Sequence, residues 1–132
     1  MSELVGGRAS AQKPVKLPII QSGDPISPEH WCYRLFIPPE LAWFVGHFPD
    51  QPVLPGVAQI GWAIRFARQA FQFDADPLRI DRVKFQQPIV PGDSVQLTLR
   101  HKLLDGLSQV DWCYEKDARV SSRGRLAFQP TS

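Results

Sequence analysis

The chain of 132 residues has little cysteine, no long apolar run and no excess of charge of one sign. Its two cysteines, Cys32 and Cys113, belong to no CxxC motif and no Cys/His cluster, so zinc and redox motifs lack support. No segment approaches the roughly 18 apolar residues of a membrane span. Lysine and arginine total 15 against 13 acidic residues, and this net charge of +2 does not indicate nucleic acid. We expect no metal, no cofactor and no membrane span.

The N-terminal segment lacks the apolar core of a signal peptide. Residues 1–16 are small and polar, which predicts a flexible extension, and residues 17–132 have the length of a single domain. Two free thiols are typical of a reducing compartment. We therefore expect a cytoplasmic protein.

Proline is abundant, with 13 residues, and this excludes an all-helical bundle because an internal proline removes a helix hydrogen bond. Three prolines and two glycines fall within residues 46–56, which read GHFPDQPVLPG. Such a segment fits neither a helix nor a central strand. It predicts a fixed, irregular loop.

Apolar periodicity predicts one helix and several strands around this loop. Residues 57–72 are apolar over most of a helical circumference, so we expect a mostly buried helix. Alternation with a period of two predicts strands over residues 31–37, 79–86, 94–101, 108–115 and 119–128. The expected fold is an α+β hotdog, in which an antiparallel sheet wraps around one central helix.

The last predicted strand has small residues on its inward face. The residues expected to point inward are Val120, Ser122, Gly124, Leu126 and Phe128. Ser122 and Gly124 would leave room there for something bulky. By contrast, His30 and His101 have no motif around them, and we expect both at the surface.

Two segments resemble the FabZ/FabA-type 3-hydroxyacyl-ACP dehydratases. Residues 46–57 resemble the family signature GHFPxxPxxPG followed by a helix, and residues 84–93 (KFQQPIVPGD) resemble its KFxxPVxPGD stretch. The similarity covers roughly residues 30–128. The PGVAQ segment, followed by Trp62, looks most like the dehydratases of aryl-polyene and related pigment pathways.

The resemblance implies a (3R)-hydroxyacyl-[acyl-carrier-protein] dehydratase of fatty-acid or polyene-type lipid biosynthesis. The reaction needs a base for the C2 proton, an acid for the leaving hydroxyl and donors facing the thioester oxygen. At the family's positions, His47 would be the base, and the N–H of Gly56 would bind the thioester carbonyl. The implied substrate-binding residues are Phe48, Pro55, Val57, Gly61 and Arg65.

The chain departs from the family at the second catalytic residue. The family's acid lies fourteen positions after the histidine, which here is Gly61, and no carboxylate occurs between Asp50 and Asp74. One explanation is dehydration by a modified route, with a water beside Gly61 held by Arg65 or Gln59. A second is another thioester reaction, as in the hotdog thioesterases. A third is a partner subunit that completes its site with an acid-bearing homologue.

The resemblance also implies partners. Family substrates are thioesters of an acidic acyl carrier protein or of CoA, and family active sites form across a dimer interface. We therefore expect a homodimer, or a heterodimer with a homologue. Arg68, Arg82 and Lys84 are the candidate carrier-binding residues, and the last two share a face of their predicted strand. An ordinary solvated sheet face explains these charges equally well.

Overall fold

The computed structural model describes residues 16–44 and 51–130. This part of the chain forms one antiparallel sheet and one α-helix, α1 (Gly56–Phe71), with a short 3₁₀ helix at Ala42–Phe44. The strands are β1 (Ile19–Ser27), β2 (His30–Phe36), β3 (Arg79–Phe85), β4 (Ser94–Leu104), β5 (Leu107–Lys116) and β6 (Arg119–Phe128). Their order in the sheet is β1-β2-β4-β5-β6-β3, and one face packs on the helix. The predicted α+β hotdog fold is confirmed.

Strand β1 was not predicted from the sequence, because Pro25 within it and the flanking Pro18 and Pro28 favour extended and turn conformations. Pro25 lies within β1 and pairs with Trp31 of β2. Proline has no N–H for a ladder, so it is tolerated at the edge of a sheet. The register between β1 and β2 shifts at two places, which is also typical of an edge strand.

Helix α1 begins and ends one residue before its predicted bounds. It ends because Gln72 adopts a left-handed conformation, with φ of 60°, and the N–H of Gln72 donates to the Arg68 carbonyl. Val57 is 69% exposed, and Gly61 is also exposed. The exposed residues form one narrow stripe, which also contains Arg65 and Gln69, and the other residues of the helix are buried or half-buried, as predicted. The buried residues all lie on one face: Ala58, Gln59, Trp62, Ala63, Phe66 and Ala67.

Strand β6 has a bulge that changes its predicted inward face. Ser122, Gly124, Leu126 and Phe128 are buried as predicted. The register with β5 shifts between Tyr114 and Glu115, and Ser121 is fully buried while Val120 is only half-buried. The inward assignment of Val120 was wrong because simple alternation does not continue through a bulge.

Gly124 makes room for an aromatic ring. It lies directly opposite Trp112 of β5, and a Cβ atom at position 124 would overlap the atoms of the Trp112 ring. Trp112 itself is only 1% exposed. The bulky group predicted beside the small residues of β6 is therefore an indole of the neighbouring strand.

His101 is not the surface residue that the sequence indicated, and His30 is also only partly exposed. The His101 ring lies against Phe71 and Phe73, with centroid distances of 5.1 and 5.7 Å. Burial lowers the pKa of His101, and the carboxylate of Glu29 opposes this effect. Within residues 16–44 and 51–130, its buried Nε2 atom has no hydrogen-bond partner.

Candidate active site

The predicted base His47 and its neighbour Phe48 lie outside the described residues, as do the other residues of 45–50. The segments on either side are described. The 3₁₀ helix Ala42–Phe44 precedes residues 45–50, and residues 51–55 follow them and connect to α1. The role of His47 stays a prediction, and the described part of the site centres on the start of α1.

Helix α1 begins without a side-chain cap. Pro55 is the N-cap residue, and its carbonyl accepts hydrogen bonds from Ala58 and Gln59 at 3.1 and 3.2 Å. Among the residues that the structure describes, neither Gly56 nor Val57 finds an acceptor for its N–H. Free N–H groups at a helix start carry partial positive charge. This end of α1 can therefore stabilise an oxygen on which negative charge develops.

Gly56 lines a cavity of about 500 Å³, large enough for part of a small-molecule ligand. Most of its lining is apolar and comes from both segments that resemble the family motifs, including Val53, Pro55 and Pro88. The ring of Phe85 packs so closely on Gly56 that a Cβ atom there would lie 3.0 Å from Phe85 Cε2. Glycine is needed at position 56 for this approach.

The second motif segment supports the loop before the helix. The N–H of Leu54 donates to the carbonyl of Ile89 at 2.7 Å. The turn that follows is held by Asp93, whose Oδ2 atom accepts hydrogen bonds from the Val90 N–H at 2.8 Å and from Lys116 Nζ at 2.9 Å. The two motif segments are therefore one structural unit beside the start of α1.

Gly61 lies in a different groove from Gly56. This open groove of about 560 Å³ contains Gly61, Ile64, Arg65 and Arg68, together with the loop that follows α1. A Cβ atom at Gly61 would meet nothing within 4 Å. The predicted substrate residues are thus divided: Pro55 and Gly56 line one cavity and Gly61 and Arg65 the other, while Val57 is exposed near the helix start.

The groove also bears on the water proposed beside Gly61. Arg65 lines this groove and is in a position to hold such a water. Gln59 is 3% exposed, and its side chain bonds to Leu54 and Ser122 on the opposite face of the helix. Gln59 therefore cannot hold a water beside Gly61, and this part of the prediction is wrong.

The three candidate carrier-binding residues lie in two separate places. Arg68 lines the Gly61 groove, where its guanidinium donates to Asp76 Oδ1 at 3.0 Å and to the Asp74 carbonyl at 2.9 Å. Arg82 and Lys84 line a cavity of about 550 Å³ that is bordered by residues of β3, β5 and β6. Arg82 has a φ of 56°, at a register shift that interrupts the alternation used to predict their shared face. Both side chains nevertheless border the same cavity.

A buried polar cluster, which was not predicted from the sequence, lies behind the start of α1. Ser122 Oγ lies 2.6 Å from Gln59 Oε1, and the Tyr114 hydroxyl donates to the Gln59 carbonyl at 2.8 Å. Burial raises the pKa of Tyr114 well above its usual value, so this hydroxyl remains a donor. The available signal was a glutamine among the core positions of a helix, with a serine predicted to point inward from a strand.

Within the described ranges, no three His, Cys, Asp or Glu side chains come close enough to hold a metal ion. No described helix has the length and apolar character that crossing a membrane requires.

A sheet of six antiparallel strands packed on one helix, whose uncapped start lines an apolar cavity, defines a hotdog protein. The family model of the ApeI-like proteins, described as ApeI dehydratase, matches residues 24–125. The chain belongs to this ApeI-like dehydratase family.

Curated relatives carry the name 3-hydroxyacyl-[acyl-carrier-protein] dehydratase FabZ. The protein from Methylobacterium sp. (strain 4-46) is 39% identical over 89 residues, which cover 59% of this chain and 52% of the relative. The protein from Geobacter metallireducens is 31% identical over 101 residues, or 66% of this chain and 61% of the relative. The chain thus spans between half and two thirds of the length of these relatives.

Solved structures agree with this family. A chain of the dehydratase heterocomplex ApeI:P from Xenorhabdus doucetiae is 32% identical, with a TM-score of 0.77 over 84% of this chain and 96% of that one. Thioesterase superfamily member 2 from Mus musculus has a TM-score of 0.65 over 81% of this chain and 79% of its own, at 12% identity. The latter likeness shows the fold alone.

Proposed function

We propose that this protein is a (3R)-hydroxyacyl-[acyl-carrier-protein] dehydratase of fatty-acid or polyene-type lipid biosynthesis. The observation that carries the proposal is the start of α1, where Gly56 presents an N–H without an acceptor in the described chain beside an apolar cavity. The names of the FabZ relatives and of the ApeI:P heterocomplex support the same reaction class.

In the proposed reaction, His47 removes the C2 proton of the 3-hydroxyacyl thioester. The electron pair of the C2–H bond moves toward the thioester carbonyl, and the Gly56 N–H stabilises the negative charge that develops on its oxygen. Cleavage of the C3–O bond then forms the C2–C3 double bond, and the hydroxyl leaves as water with the proton that protonated His47 returns to it through the water beside Gly61. The chain's own Gly61 cannot supply this proton.

The first test replaces His47 by alanine. We expect the purified wild-type protein to hydrate an enoyl thioester or dehydrate a 3-hydroxyacyl thioester, and His47→Ala to lose this turnover with its circular dichroism spectrum unchanged. His30→Ala, a change in β2 away from the cavity, is the matched control. Unchanged turnover in His47→Ala would refute the role of His47.

The second test restores the acid in two matched variants. A side chain at Gly61 enters open space, so Gly61→Glu is accepted without a clash. We expect Gly61→Glu to raise dehydratase turnover, because general-acid help contributes about 10²–10⁴-fold. Gly61→Gln has the same size and no proton to give, and it serves as the control. Equal activity of the two variants would mean that the acid is not what this site lacks.

A second candidate function is that of the acid-lacking subunit of a heterodimeric dehydratase. It is favoured by the separation of Gly61 from the Gly56 cavity and by the likeness to a chain of a dehydratase heterocomplex. This candidate predicts a homodimer with little activity that gains turnover when it is co-expressed with an acid-bearing homologue. Failure to form any mixed dimer would exclude it.

Hydrolysis of the thioester remains the chemical alternative. A thioesterase releases free thiol from acyl thioesters that have no 3-hydroxyl group, whereas a dehydratase leaves these substrates intact. A thiol assay on a saturated acyl thioester separates the two reactions. We expect no thiol release above that of His47→Ala.

The proposed substrate is carried by acyl carrier protein, with CoA thioesters as analogues. Arg82 and Lys84 border a cavity with Arg123 and are the strongest candidates for an acidic carrier, because none of the three has an ion-pair partner among the described residues. Arg68 is a weaker candidate because its guanidinium is held by Asp76. Charge reversal of Lys84 should raise KM for the carrier-bound substrate and leave KM for a CoA thioester unchanged.

We also propose a cytoplasmic location. Cys32 and Cys113 are both free, and each pairs with Thr98 from an opposite side, so two strand spacings of about 4.8 Å separate them. That separation is too great for a disulfide. Free thiols of this kind are typical of a reducing compartment.

A further inference from the structure

The buried polar cluster of Gln59, Ser122 and Tyr114 has no part in the steps proposed above. Gln59 is 3% exposed, and the other two residues are fully buried. The cluster connects α1 to strands β5 and β6, and the Gln59 side chain continues to the carbonyl of Leu54 at 3.1 Å. Buried polar groups are costly when they lack partners, so a cluster bonded in this way is fixed in one arrangement.

Hydrogen-bond chemistry determines how the Gln59 amide is turned. The Leu54 carbonyl can only accept a hydrogen bond, so Nε2 of Gln59 must face it. Oε1 then faces Ser122, whose hydroxyl donates to it at 2.6 Å. Ser122 therefore sets the orientation of the amide group that holds Leu54.

Leu54 is fixed on both sides of its backbone. Its N–H donates to Ile89 at 2.7 Å, and its carbonyl accepts from Gln59. Leu54 immediately precedes Pro55, the N-cap residue that offers no side-chain cap. The direction of the Gly56 N–H consequently depends on these two bonds.

We propose that Gln59 is a positioning residue, held by Ser122, that fixes the Leu54–Gly56 backbone so that the Gly56 N–H faces the thioester oxygen. The inference rests on the proposed function of Gly56. A donor that acts on charge developing in the transition state affects kcat more than substrate binding. Loss of the cluster should thus lower kcat while KM changes little.

Two adjacent serines of β6 provide a matched test. Ser122 and Ser121 are both fully buried, but within the described chain Ser121 Oγ has no hydrogen-bond partner. We expect Ser122→Ala to lower kcat about tenfold, the scale of one buried hydrogen bond, with KM within about twofold. Ser121→Ala should leave both constants within about twofold of wild type.

The variant Gln59→Glu should show a pH dependence of kcat that a purely structural role of Gln59 would not produce. A protonated carboxyl group keeps both bonds, because its O–H donates to Leu54 and its other oxygen accepts from Ser122. An ionised carboxylate cannot donate to Leu54. Tyr114 is the titratable group seen against Gln59, and it stays neutral because burial raises its pKa well above the usual value.

We therefore expect the kcat of Gln59→Glu, divided by that of wild type at each pH, to fall as the pH rises. Effects of pH that are common to both proteins cancel in this ratio. Burial raises the pKa of a carboxyl group, which moves the fall toward neutral pH. A ratio that is constant across the pH range would overturn the proposal.

A measurement that does not depend on enzymatic turnover separates this inference from the proposed function. The Leu54 N–H is bonded to Ile89, and its hydrogen exchange, followed by NMR, reports how firmly this backbone is held. We expect Ser122→Ala to accelerate that exchange about tenfold and Ser121→Ala to leave it unchanged. If wild type turns over no hydroxyacyl thioester, the proposed function fails and the exchange rates still decide the role of Gln59. Equal exchange rates in the two serine variants would overturn the positioning role.

Discussion

Gly61 and Gly124 show how differently two glycines of one chain constrain their surroundings. At Gly61 a side chain would extend into open space, whereas at Gly124 it would overlap the indole of Trp112. The choice of residue at position 61 is therefore limited by the function of the site, whereas the choice at position 124 is limited by packing. The sequence identified both as positions without a side chain, but only the structure shows which of them faces open space.

Alanine at these two positions should have opposite effects on stability. We expect Gly124→Ala to lower the free energy of unfolding by about 1–3 kcal/mol, because the buried Trp112 ring must shift. Gly61→Ala should raise it by about 1 kcal/mol through helix propensity. Urea unfolding of both variants measures these changes. A destabilised Gly61→Ala would indicate that another surface packs against position 61.

His101 should make the stability of the protein depend on pH. Burial lowers its folded-state pKa below the ordinary value of 6.5. Below pH 6.5 the unfolded chain therefore binds more protons than the folded chain. The free energy of unfolding consequently has its highest value above this pH and decreases as the pH falls toward the folded-state pKa of His101. Urea midpoints on both sides of pH 6.5 measure the effect.

The matched comparison for His101 removes His30 from both proteins, because burial also lowers the pKa of His30. We expect the double variant with His30→Gln and His101→Gln to lose less stability on acidification than His30→Gln alone. The same slope in both proteins would mean that His101 does not couple folding to pH.

At the scale of elements, the carbonyl of Lys16 joins the helix to the segment that precedes the His47 loop. It accepts hydrogen bonds from the indole nitrogens of Trp43 in the 3₁₀ helix and Trp62 in α1, each at 2.9 Å. Trp62 is only 3% exposed, so its indole N–H loses a partner that water replaces poorly if this carbonyl is removed.

Two truncated chains test this connection. A chain beginning at Lys16 keeps the carbonyl, and a chain beginning at Pro18 loses it. We expect the shorter chain to be less stable by about 1–3 kcal/mol, because two indole donors lose their acceptor. Thermal unfolding compares the two chains. Equal melting temperatures would show that the contact contributes no stability.

The sequence predicted the elements whose patterns are local, and it missed those whose form depends on pairing. Alternation identified β4 and β5, and helical spacing placed α1 within one residue. Strand β1 was missed because its proline, Pro25, is tolerated only at a sheet edge, and the position of a strand at an edge is a property of the assembled sheet. The bulges near Ser121 and Arg82 also depend on the partner strand and leave no signal in composition.

The same distinction applies to the candidate site. Motif spacing placed Gly56 at the start of α1, where the structure has it, because glycine and proline constrain the backbone locally. The assignment of Gly61 and Gly56 to separate cavities depends on which helix face the sheet covers. The bond between Gln59 and Ser122 joins residues 63 positions apart, a distance over which no periodicity extends.

For the whole molecule, the described chain leaves apolar side chains uncovered beside the helix start and along β3. Ile80 pairs with buried Leu126 and is itself 43% exposed, and Phe85 is 52% exposed. Both residues lie on the sheet face that packs on α1, where the helix contacts the Phe85 ring at Gly56 but leaves about half of it exposed. A second chain placed there would bury them, in agreement with the proposed dimer.

The uncovered apolar surface along β3 predicts that a new charge will have different effects at Ile80 and at Leu104, which are similarly exposed. We expect Ile80→Glu to shift the assembly toward single chains in sedimentation experiments, because a carboxylate would be buried without a partner. Leu104→Glu is the matched control, since Leu104 is 45% exposed but lies at the end of β4 beside the turn to β5. If both variants keep the wild-type mass, chains do not associate through β3.

The proline in β1 sets a limit on how far association can proceed. The described sheet has two edges, β1 and β3, and a ribbon of many chains would need to use both. Pro25 offers no N–H, and two register shifts distort the strand that contains it. Addition of a strand at the β1 edge is therefore disfavoured, and joining at the β3 edge uses up the free edge of both chains. We therefore expect assembly through this sheet to end with a closed pair and not to grow into a fibre.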